Sequence, residues 1–342
     1  MNADQAPVKR ILIGSAALLA ALAVFLVMRG MVRTVVEGRL YISPQPRGSQ
    51  LQRWAGTLGL RSVVNLRGAH PSEEWYKTEE RVSRDLGLER LDLNLSSSLP
   101  PSRRMLLCFI RRFPSLPTPV LIHCMGGIDR SSLGAFLALT LWNIPFAEAA
   151  SWIRSPWKHR CVRFCNERKF LASYEAWCAN AGVPSSAAAL GRFIEKDYCP
   201  EAYRYGLELS GVPHAAAPGA DVRFRADVTN AGPAPWKLAP GSETGIRLGG
   251  RLYGPLPAEP EDMETFFYDH QWDGRDAFRA GLEEGRITVG GKRVWNVRFR
   301  APERAGLYLL AVDMVDEHVT WFCNYGRPPA FVLIHVPSIP PA

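Results

Sequence analysis

The sequence lacks the signatures of several common functional classes. It shows no tandem repeat, no RNA-binding motif and no helix-turn-helix pattern, so we expect no nucleic-acid partner. Its seven cysteines follow no zinc-module spacing, so no metal site is expected from them. The basic residues that give a net charge of +8 are scattered along the chain. A basic balance of this kind favours anionic partners such as phosphate esters or anionic lipid.

Two domains are expected, because 342 residues exceed the length of one typical domain. After the first forty residues, apolar strands alternate with helices, which predicts an α/β domain with a central, mostly parallel sheet flanked by helices. The strands are predicted at 39–46, 61–68, 88–98 and 119–123, and the helices at 49–60, 72–86, 100–113, 131–143, 147–154, 166–181 and about 188–209.

The pattern changes near Gly219. Beyond it, short runs alternate apolar and polar residues and are separated by turns rich in glycine and proline, which predicts an all-β sandwich. The small-residue and proline stretch 211–219 is suited to a linker. The predicted domains are therefore 30–210 and 219–340.

The N-terminal residues 11–28 contain no charge and just reach the length of a membrane-spanning helix. A cleavable signal peptide is the rival interpretation, but small-x-small patterns lie inside the apolar run rather than after it, which favours an uncleaved anchor. We expect residues 1–29 to form a cytoplasmic tip and a single-pass anchor, followed by a juxtamembrane link at 30–38. The catalytic domain would then be periplasmic, although the nearly balanced basic flanks barely decide the orientation.

The stretch PVLIHCMGGIDRSS (119–132) runs from an apolar strand through His-Cys and a glycine-rich loop into an apolar helix. Backbone N–H groups at a helix N-terminus bind anions, and adjacent glycines let the loop curl. We expect the loop amides to surround one phosphate, with Arg130 as a planar fork for two of its oxygens. The same positive field favours the thiolate of Cys124, a nucleophile for a bound phosphoryl group. The predicted phosphate-binding residues are Met125, Gly126, Gly127, Ile128, Asp129 and Arg130.

This arrangement resembles the cysteine-dependent protein tyrosine phosphatase superfamily, whose signature is H-C-x5-R followed by Ser or Thr. The matching positions are His123, Cys124, Arg130 and Ser131. Three further segments resemble the N-terminal half of bacterial dual-specificity-type phosphatases, namely YISPQP (41–46), RSVVNLRG (61–68) and HPSEEWYKTEE (70–80). The resemblance covers roughly residues 39–180.

The resemblance implies hydrolysis without metal or cofactor, through a phosphocysteine intermediate on Cys124. It implies that His123 orients the loop and that Ser131 hydrogen-bonds the sulfur and helps it leave. The family also needs a general acid, usually on a loop some thirty residues before the cysteine. Asp92 is the only carboxylate between residues 90 and 123 and is one candidate, and Asp129 inside the signature loop is the other; the sequence leaves both open. It also leaves open whether Arg67 faces substrate or pairs within the fold.

The C-terminal segments VTNAGPAPW (228–236) and 297–322 resemble immunoglobulin-like modules of bacterial envelope and glycan-handling proteins. The predicted function is a membrane-anchored phosphatase acting on phosphotyrosine or another protein phosphate. One alternative is a phosphatase of a phosphorylated lipid or glycan at the cell envelope, although the signature loop has no lysine to meet additional phosphates. The other is a catalytically weak phosphate-binding scaffold. The expected partners are the phosphorylated protein, lipid or glycan, and a membrane through residues 11–28.

Overall fold

The computed structural model of the chain describes residues 31–155, 166–240, 244–270 and 274–338. The chain divides into two compact units. The first runs to Pro101 and resumes over Met105–Lys196, and the second contains Ser102–Arg104 and the chain from Asp197 onward. The main division thus falls between Lys196 and Asp197, whereas the sequence placed the boundary at 211–219.

The first unit is built on a five-stranded sheet in the order β1-β2-β5-β3-β4. Its strands are β1 (Arg33–Val36), β2 (Leu40–Ser43), β3 (Ser62–Asn65), β4 (Glu89–Asp92) and β5 (Val120–His123). All neighbouring pairs are parallel except β1 with β2. The mostly parallel sheet predicted from the sequence is therefore confirmed. Because β5 lies between β2 and β3, the residue that follows it emerges at the middle of the sheet.

Helices flank both faces of this sheet. They are α1 (Gly48–Leu58), α2 (Glu74–Asp85), α3 (Arg103–Arg112), α4 (Asp129–Leu141), α5 (Phe146–Arg154), α6 (Asn166–Ala181) and α7 (Ala187–Arg192). Successive strand residues point to opposite faces. Leu121 joins the core cluster under α1 and α2, so its neighbour Ile122 faces the other side. There Gly134 of α4 brings the helix close, since a Cβ at that position would lie 2.8 Å from Ile122.

Helix α4 is buried along nearly its whole length, with residues 131–140 all inaccessible to solvent. The sequence predicted this helix from its continuous apolar run. Its burial fixes the orientation of its first turn, and that turn carries Asp129 and Arg130.

The membrane-anchor prediction is corrected. Across the described parts of the chain, none of the helices has the length and apolar character needed to cross a membrane. The predicted anchor at 11–28 itself lies outside the described residues. A single-pass N-terminal anchor, and the periplasmic placement that depended on it, are therefore not supported.

Two local predictions also differ from the structure. The predicted juxtamembrane link at 30–38 contains β1, which pairs antiparallel with β2 and extends the sheet. The helix predicted over about 188–209 ends much earlier: after α7, a short π-helical turn runs to Asp197, and Tyr205–Ser210 forms strand β6. Half-buried and exposed residues alternate along β6, which is typical of a strand with one face toward the protein and the other toward solvent.

The second unit is β-rich, as predicted. Its strands are β6, β7 (Asp221–Asn230), β8 (Trp236–Leu238), β9 (Ile246–Leu256), β10 (Arg275–Ala280), β11 (Gly285–Ile287), β12 (Lys292–Arg300), β13 (Gly306–Asp316), β14 (Thr320–Trp321) and β15 (Ala330–Val336). Its described residues also include the α-helix α8 (Met263–His270) and two short 3-10 helices. The strands form antiparallel sheets ordered β10-β9-β13-β14, with β15 beside β13, and β12-β7-β6, plus the pair β11-β8. Trp236, Tyr308 and Phe322 are buried in this core. The immunoglobulin-like classification stays a prediction.

Candidate active site

Cys124 directly follows β5 and is almost completely buried. The carboxyl ends of parallel strands meet at one edge of a sheet, and loops there commonly build ligand sites. The loops after β2, β3 and β4 therefore surround the cysteine. Its sulfur accepts a hydrogen bond of 3.2 Å from the backbone N–H of Gly127. The loop thus curls back over the thiol, as the sequence predicted.

Gly127 determines how this loop packs. Its φ of 65° lies in the left-handed region, and a Cβ there would lie 2.3 Å from the backbone N of Pro44. Two further contacts hold the loop: Arg33 donates to the carbonyl of Gly127, and the N–H of Gln45 donates to the carbonyl of Met125 at 3.3 Å. The loop is therefore clamped against the end of β2.

Arg130 lies in the first turn of α4, as the phosphate fork requires. Its Nη1 donates to the carbonyl of Leu95 at 2.9 Å and to that of Leu66 at 3.4 Å. Among the described residues, its Nε and Nη2 have no hydrogen-bond partner. One nitrogen thus fixes the guanidinium to the neighbouring loops, and the other N–H groups are available to an anion.

His123 is completely buried, and its Nε2 lies 3.1 Å from Oε1 of Glu79 on α2. The Nε2 of Gln45 donates to the other oxygen of this carboxylate. Burial raises the pKa of Glu79, but His123, Arg90 and Gln45 together outweigh burial and hold that pKa below its ordinary value. A carboxylate that stays ionised can only accept hydrogen bonds, so Nε2 of His123 is the donor.

Asp92 is the last residue of β4, and both of its oxygens are engaged. Oδ1 accepts from Asn65 at 2.8 Å and from Arg90 at 3.1 Å, and Oδ2 accepts from the hydroxyl of Tyr76 at 2.8 Å. Burial, followed by the hydrogen bond to Asp92, raises the pKa of Tyr76 to about 12, so the tyrosine remains a donor. Asp92 therefore links β3, β4 and α2 through its hydrogen bonds, which is the role of a structural residue.

The remaining predicted site residues lie in or beside the loop. Asp129 is half-buried at the first position of α4, and Met125 is exposed, with 67% of its surface accessible. Gly126 and Ile128 are half-buried. The hydroxyl of Ser131 donates to the carbonyl of Ser43 at 3.4 Å and makes no hydrogen bond with the sulfur in the described structure. Its assistance to the sulfur therefore stays a prediction.

Three further residues organise the site and were missed from the sequence, although all lie in segments quoted for the resemblance. Glu79 and Gln45 hold His123 as described. Asn65 is buried, donates to the carbonyl of Gly68 at 2.9 Å and accepts from the N–H of Arg67 at 2.9 Å. Asn65 thereby shapes the loop after β3. A polar residue at the end of a buried strand was the available signal. Within the described residues, no group of three or more His, Cys, Asp or Glu side chains is placed to hold a metal.

Comparison with known families agrees with this geometry. Residues 28–170 match the family model described as PTP-SAK: Swiss Army Knife protein, DSP-PTPase phosphatase domain. No curated protein matches the chain.

Several solved structures are similar to part of this chain at low identity. The core catalytic domain of the PP-IP phosphatase SIW14 from S. cerevisiae is 18% identical, covers 44% of this chain and 92% of its own, and has a TM-score of 0.34. Tk-PTP in its active form is 23% identical, with coverages of 42% and 96% and a TM-score of 0.32. A putative phosphatase from Neisseria meningitidis is 21% identical, with coverages of 41% and 95% and a TM-score of 0.32. Similarity at this level carries no information on substrate. The family match places a phosphatase domain of the dual-specificity type, within the cysteine-dependent tyrosine phosphatase superfamily, at residues 28–170.

Proposed function

We propose that the protein hydrolyses phosphomonoesters through a phosphocysteine intermediate on Cys124. The observation that carries the proposal is the position of the cysteine at the end of β5, beneath a loop whose Gly127 N–H meets the sulfur at 3.2 Å. Arg130 lies in the first turn of α4, on the far side of the same loop, with N–H groups still available to an anion. A phosphoryl group held by the loop amides and Arg130 lies directly above the sulfur, which suits in-line attack.

The reaction then has two displacement steps. In the first, the Cys124 thiolate forms a bond to phosphorus, the ester P–O bond breaks, and the leaving oxygen takes a proton from a general acid. In the second, water attacks the phosphocysteine, the S–P bond breaks, and the water's proton goes to the same carboxylate. Arg130 and the loop amides bind the equatorial oxygens throughout and stabilise their developing charge.

Asp129 is the better-supported general acid of the two carboxylates that the sequence left open. It lies in the loop next to Arg130 and therefore beside the bound phosphoryl group. Asp92 has both oxygens occupied by Asn65, Arg90 and Tyr76, so proton donation would require it to break those hydrogen bonds. Asp92 is therefore proposed as a structural residue.

The test is hydrolysis of 4-nitrophenyl phosphate in the presence of a chelator, comparing the wild type with Cys124→Ser. We expect turnover by the wild type and none by the variant, with phosphate binding retained by both. Absence of Cys124-dependent turnover from a folded wild type would refute the enzyme proposal. Retained phosphate binding would in that case leave the phosphate-binding scaffold as the function.

A protein phosphate such as phosphotyrosine is the finer proposal. The exposed apolar Met125 at the mouth of the loop favours an aromatic leaving group over a simple alkyl one. Comparison of kcat/KM for phosphotyrosine and for phosphoserine peptides of one sequence tests this preference. Equal kcat/KM for the two peptides would contradict the proposed preference for an aromatic leaving group.

A further inference from the structure

Arg67 lies in the loop after β3, beside the signature loop but outside it. The residue before it, Leu66, is fixed on both sides: its N–H donates to the carbonyl of His123 at 2.9 Å, and its carbonyl accepts from Nη1 of Arg130 at 3.4 Å. The backbone of Arg67 is therefore anchored directly to the strand and the arginine that frame Cys124.

The side chain of Arg67 is held in one orientation. Its guanidinium carbon lies 3.6 Å from the centre of the Trp75 ring, a stacking geometry that favours a planar cation. Its Nη1 donates to Oε1 of Gln45 at 2.9 Å, and Gln45 is itself fixed by Glu79. An arginine with so little rotational freedom is pre-organised for binding.

The charge of Arg67 is not neutralised by an ion pair with any described carboxylate, and its Nε and Nη2 donate to no described group. Burial and the neighbouring charge of Arg130 hold its pKa below the usual value, while Glu79, Cys124 and Glu73 act in the opposite direction. Two fixed guanidinium groups thus repel each other beside one nucleophile. An anion that contacts both relieves that repulsion.

We propose that Arg67, stacked on Trp75, binds a second anionic group of the substrate, next to the phosphoryl group that Cys124 attacks. The loop amides and Arg130 already supply donors for the scissile phosphoryl oxygens, and Arg67 projects from the loop of a neighbouring strand. Its available N–H groups therefore suit the next anionic group along the substrate, a second phosphoryl group or a carboxylate. This inference rests on the proposed function, because it extends the same pocket.

The test uses three phosphonates that differ only in the second group: methylphosphonate, phosphonoacetate and methylenediphosphonate. Their binding is measured by calorimetry with chelator present, for the wild type, Arg67→Gln and Arg61→Gln. Arg61 is an exposed arginine immediately before β3, at the opposite end of the strand that Arg67 follows, so it matches the charge change away from the pocket.

We expect the wild type to bind methylenediphosphonate about tenfold more tightly than methylphosphonate, the factor expected from one additional charged hydrogen bond. Phosphonoacetate should also bind more tightly than methylphosphonate, but by a smaller factor. Arg67→Gln should reduce this preference to about twofold and change methylphosphonate affinity by less than about threefold. Arg61→Gln should retain the wild-type preference. A phosphonoacetate affinity above that of the diphosphonate would support the same site with a carboxylate as its ligand.

Two results would overturn the inference: equal wild-type affinities for the three compounds, or an Arg67→Gln variant that weakens all three equally. If Arg67→Gln fails to fold, Trp75→Leu removes the stacking surface and should reduce the preference by about threefold, with methylphosphonate unchanged. An unchanged preference in that variant would count against the inference. The proposed function is tested separately, because these compounds are bound and not hydrolysed. The expected ranking of the three affinities can be found in a protein without phosphatase turnover, and turnover can be found without that ranking.

Discussion

Oε1 of Glu79 lies 3.1 Å from Nε2 of His123, and both side chains are fully buried. This contact joins helix α2 to the strand residue immediately before the nucleophile. Gln45 extends it from the other carboxylate oxygen to Arg67. One buried carboxylate therefore positions the base of the signature loop and, through Gln45, the arginine at its rim.

Glu79→Gln should lower the free energy of unfolding at neutral pH, and this difference from the wild type should disappear in acid. The pKa of Glu79 is lower in the folded protein than its ordinary value of 4.5, so as pH falls the unfolded chain takes up the proton first. The stabilisation is present above pH 4.5 and is lost as pH falls through the folded pKa. We expect the wild type to exceed the variant by about 1–3 kcal/mol in free energy of unfolding at neutral pH, the cost of an impaired buried hydrogen bond.

Urea unfolding at a series of pH values measures this difference. Glu80→Gln, an exposed neighbour on the same helix, is the control and should follow the wild-type profile. A gap between wild type and Glu79→Gln that stays constant down to strongly acidic pH would contradict the assignment.

Gly127→Ala should distort the signature loop, whereas Gly126→Ala should not. The added Cβ at Gly127 would lie 2.3 Å from the N of Pro44 and 2.6 Å from the carbonyl carbon of Ser43. Both are backbone atoms that cannot move aside, and φ is 65°. Because displacement of a reacting group by about 1 Å can cost roughly 100-fold, we expect a kcat/KM loss of that order.

At Gly126, a Cβ meets nothing within 4 Å. The free energy of unfolding of Gly126→Ala should stay within roughly 0.5 kcal/mol of wild type, and its loss of kcat/KM should be much smaller than that of Gly127→Ala. Equal losses for the two variants would show that loop shape does not depend on the contact with β2.

Asp129→Asn and Asp92→Asn should differ in their dependence on the leaving group. If Asp129 donates the proton, its loss should slow phenyl phosphate, a poor leaving group, by about 100-fold or more, and 4-nitrophenyl phosphate much less. Asp92→Asn replaces an acceptor for three donors, so it should lower stability by about 1–3 kcal/mol and affect both esters to a similar extent. Kinetics on both esters, with unfolding measured in parallel, decides between them. A leaving-group effect confined to Asp92→Asn would reverse the assignment.

The sequence predicted the strand–loop–helix unit around Cys124 because its determinants are contiguous: the apolar run of β5, the two glycines and the apolar helix α4. It could not predict the Glu79–His123 contact, since the two residues are 44 positions apart and only the packing of α2 on the sheet brings them together. The same limit applied to Arg67, whose orientation depends on Trp75 and Gln45. The sequence predicts a helix where β6 forms, because the alternation of half-buried and exposed residues in β6 is short and follows directly on a helical pattern.

Asp313 in the second unit should make stability depend on pH in the direction opposite to Glu79. It is completely buried on β13, where Oδ1 accepts from the hydroxyl of Tyr205 and Oδ2 from the N–H of Cys323 at 2.8 Å. Burial raises its pKa from 3.8 to about 6, despite these hydrogen bonds. The folded protein therefore holds the proton at pH values where the unfolded chain has lost it. Stability should fall as pH rises from about 4 to about 6, by up to roughly 3 kcal/mol for a shift of about two units.

Asp313→Asn isolates this effect, because the amide does not titrate and places N–H donors against groups that already donate. We expect the variant to be less stable than the wild type at acidic pH, with the difference in free energy of unfolding narrowing as pH rises from about 4 to about 6, as measured by urea unfolding. Glu208→Gln, exposed on β6, should follow the wild-type profile. A difference that widens as pH rises would mean that the site stabilises the Asp313 carboxylate, because the hydrogen bonds from Tyr205 and Cys323 would then outweigh its burial.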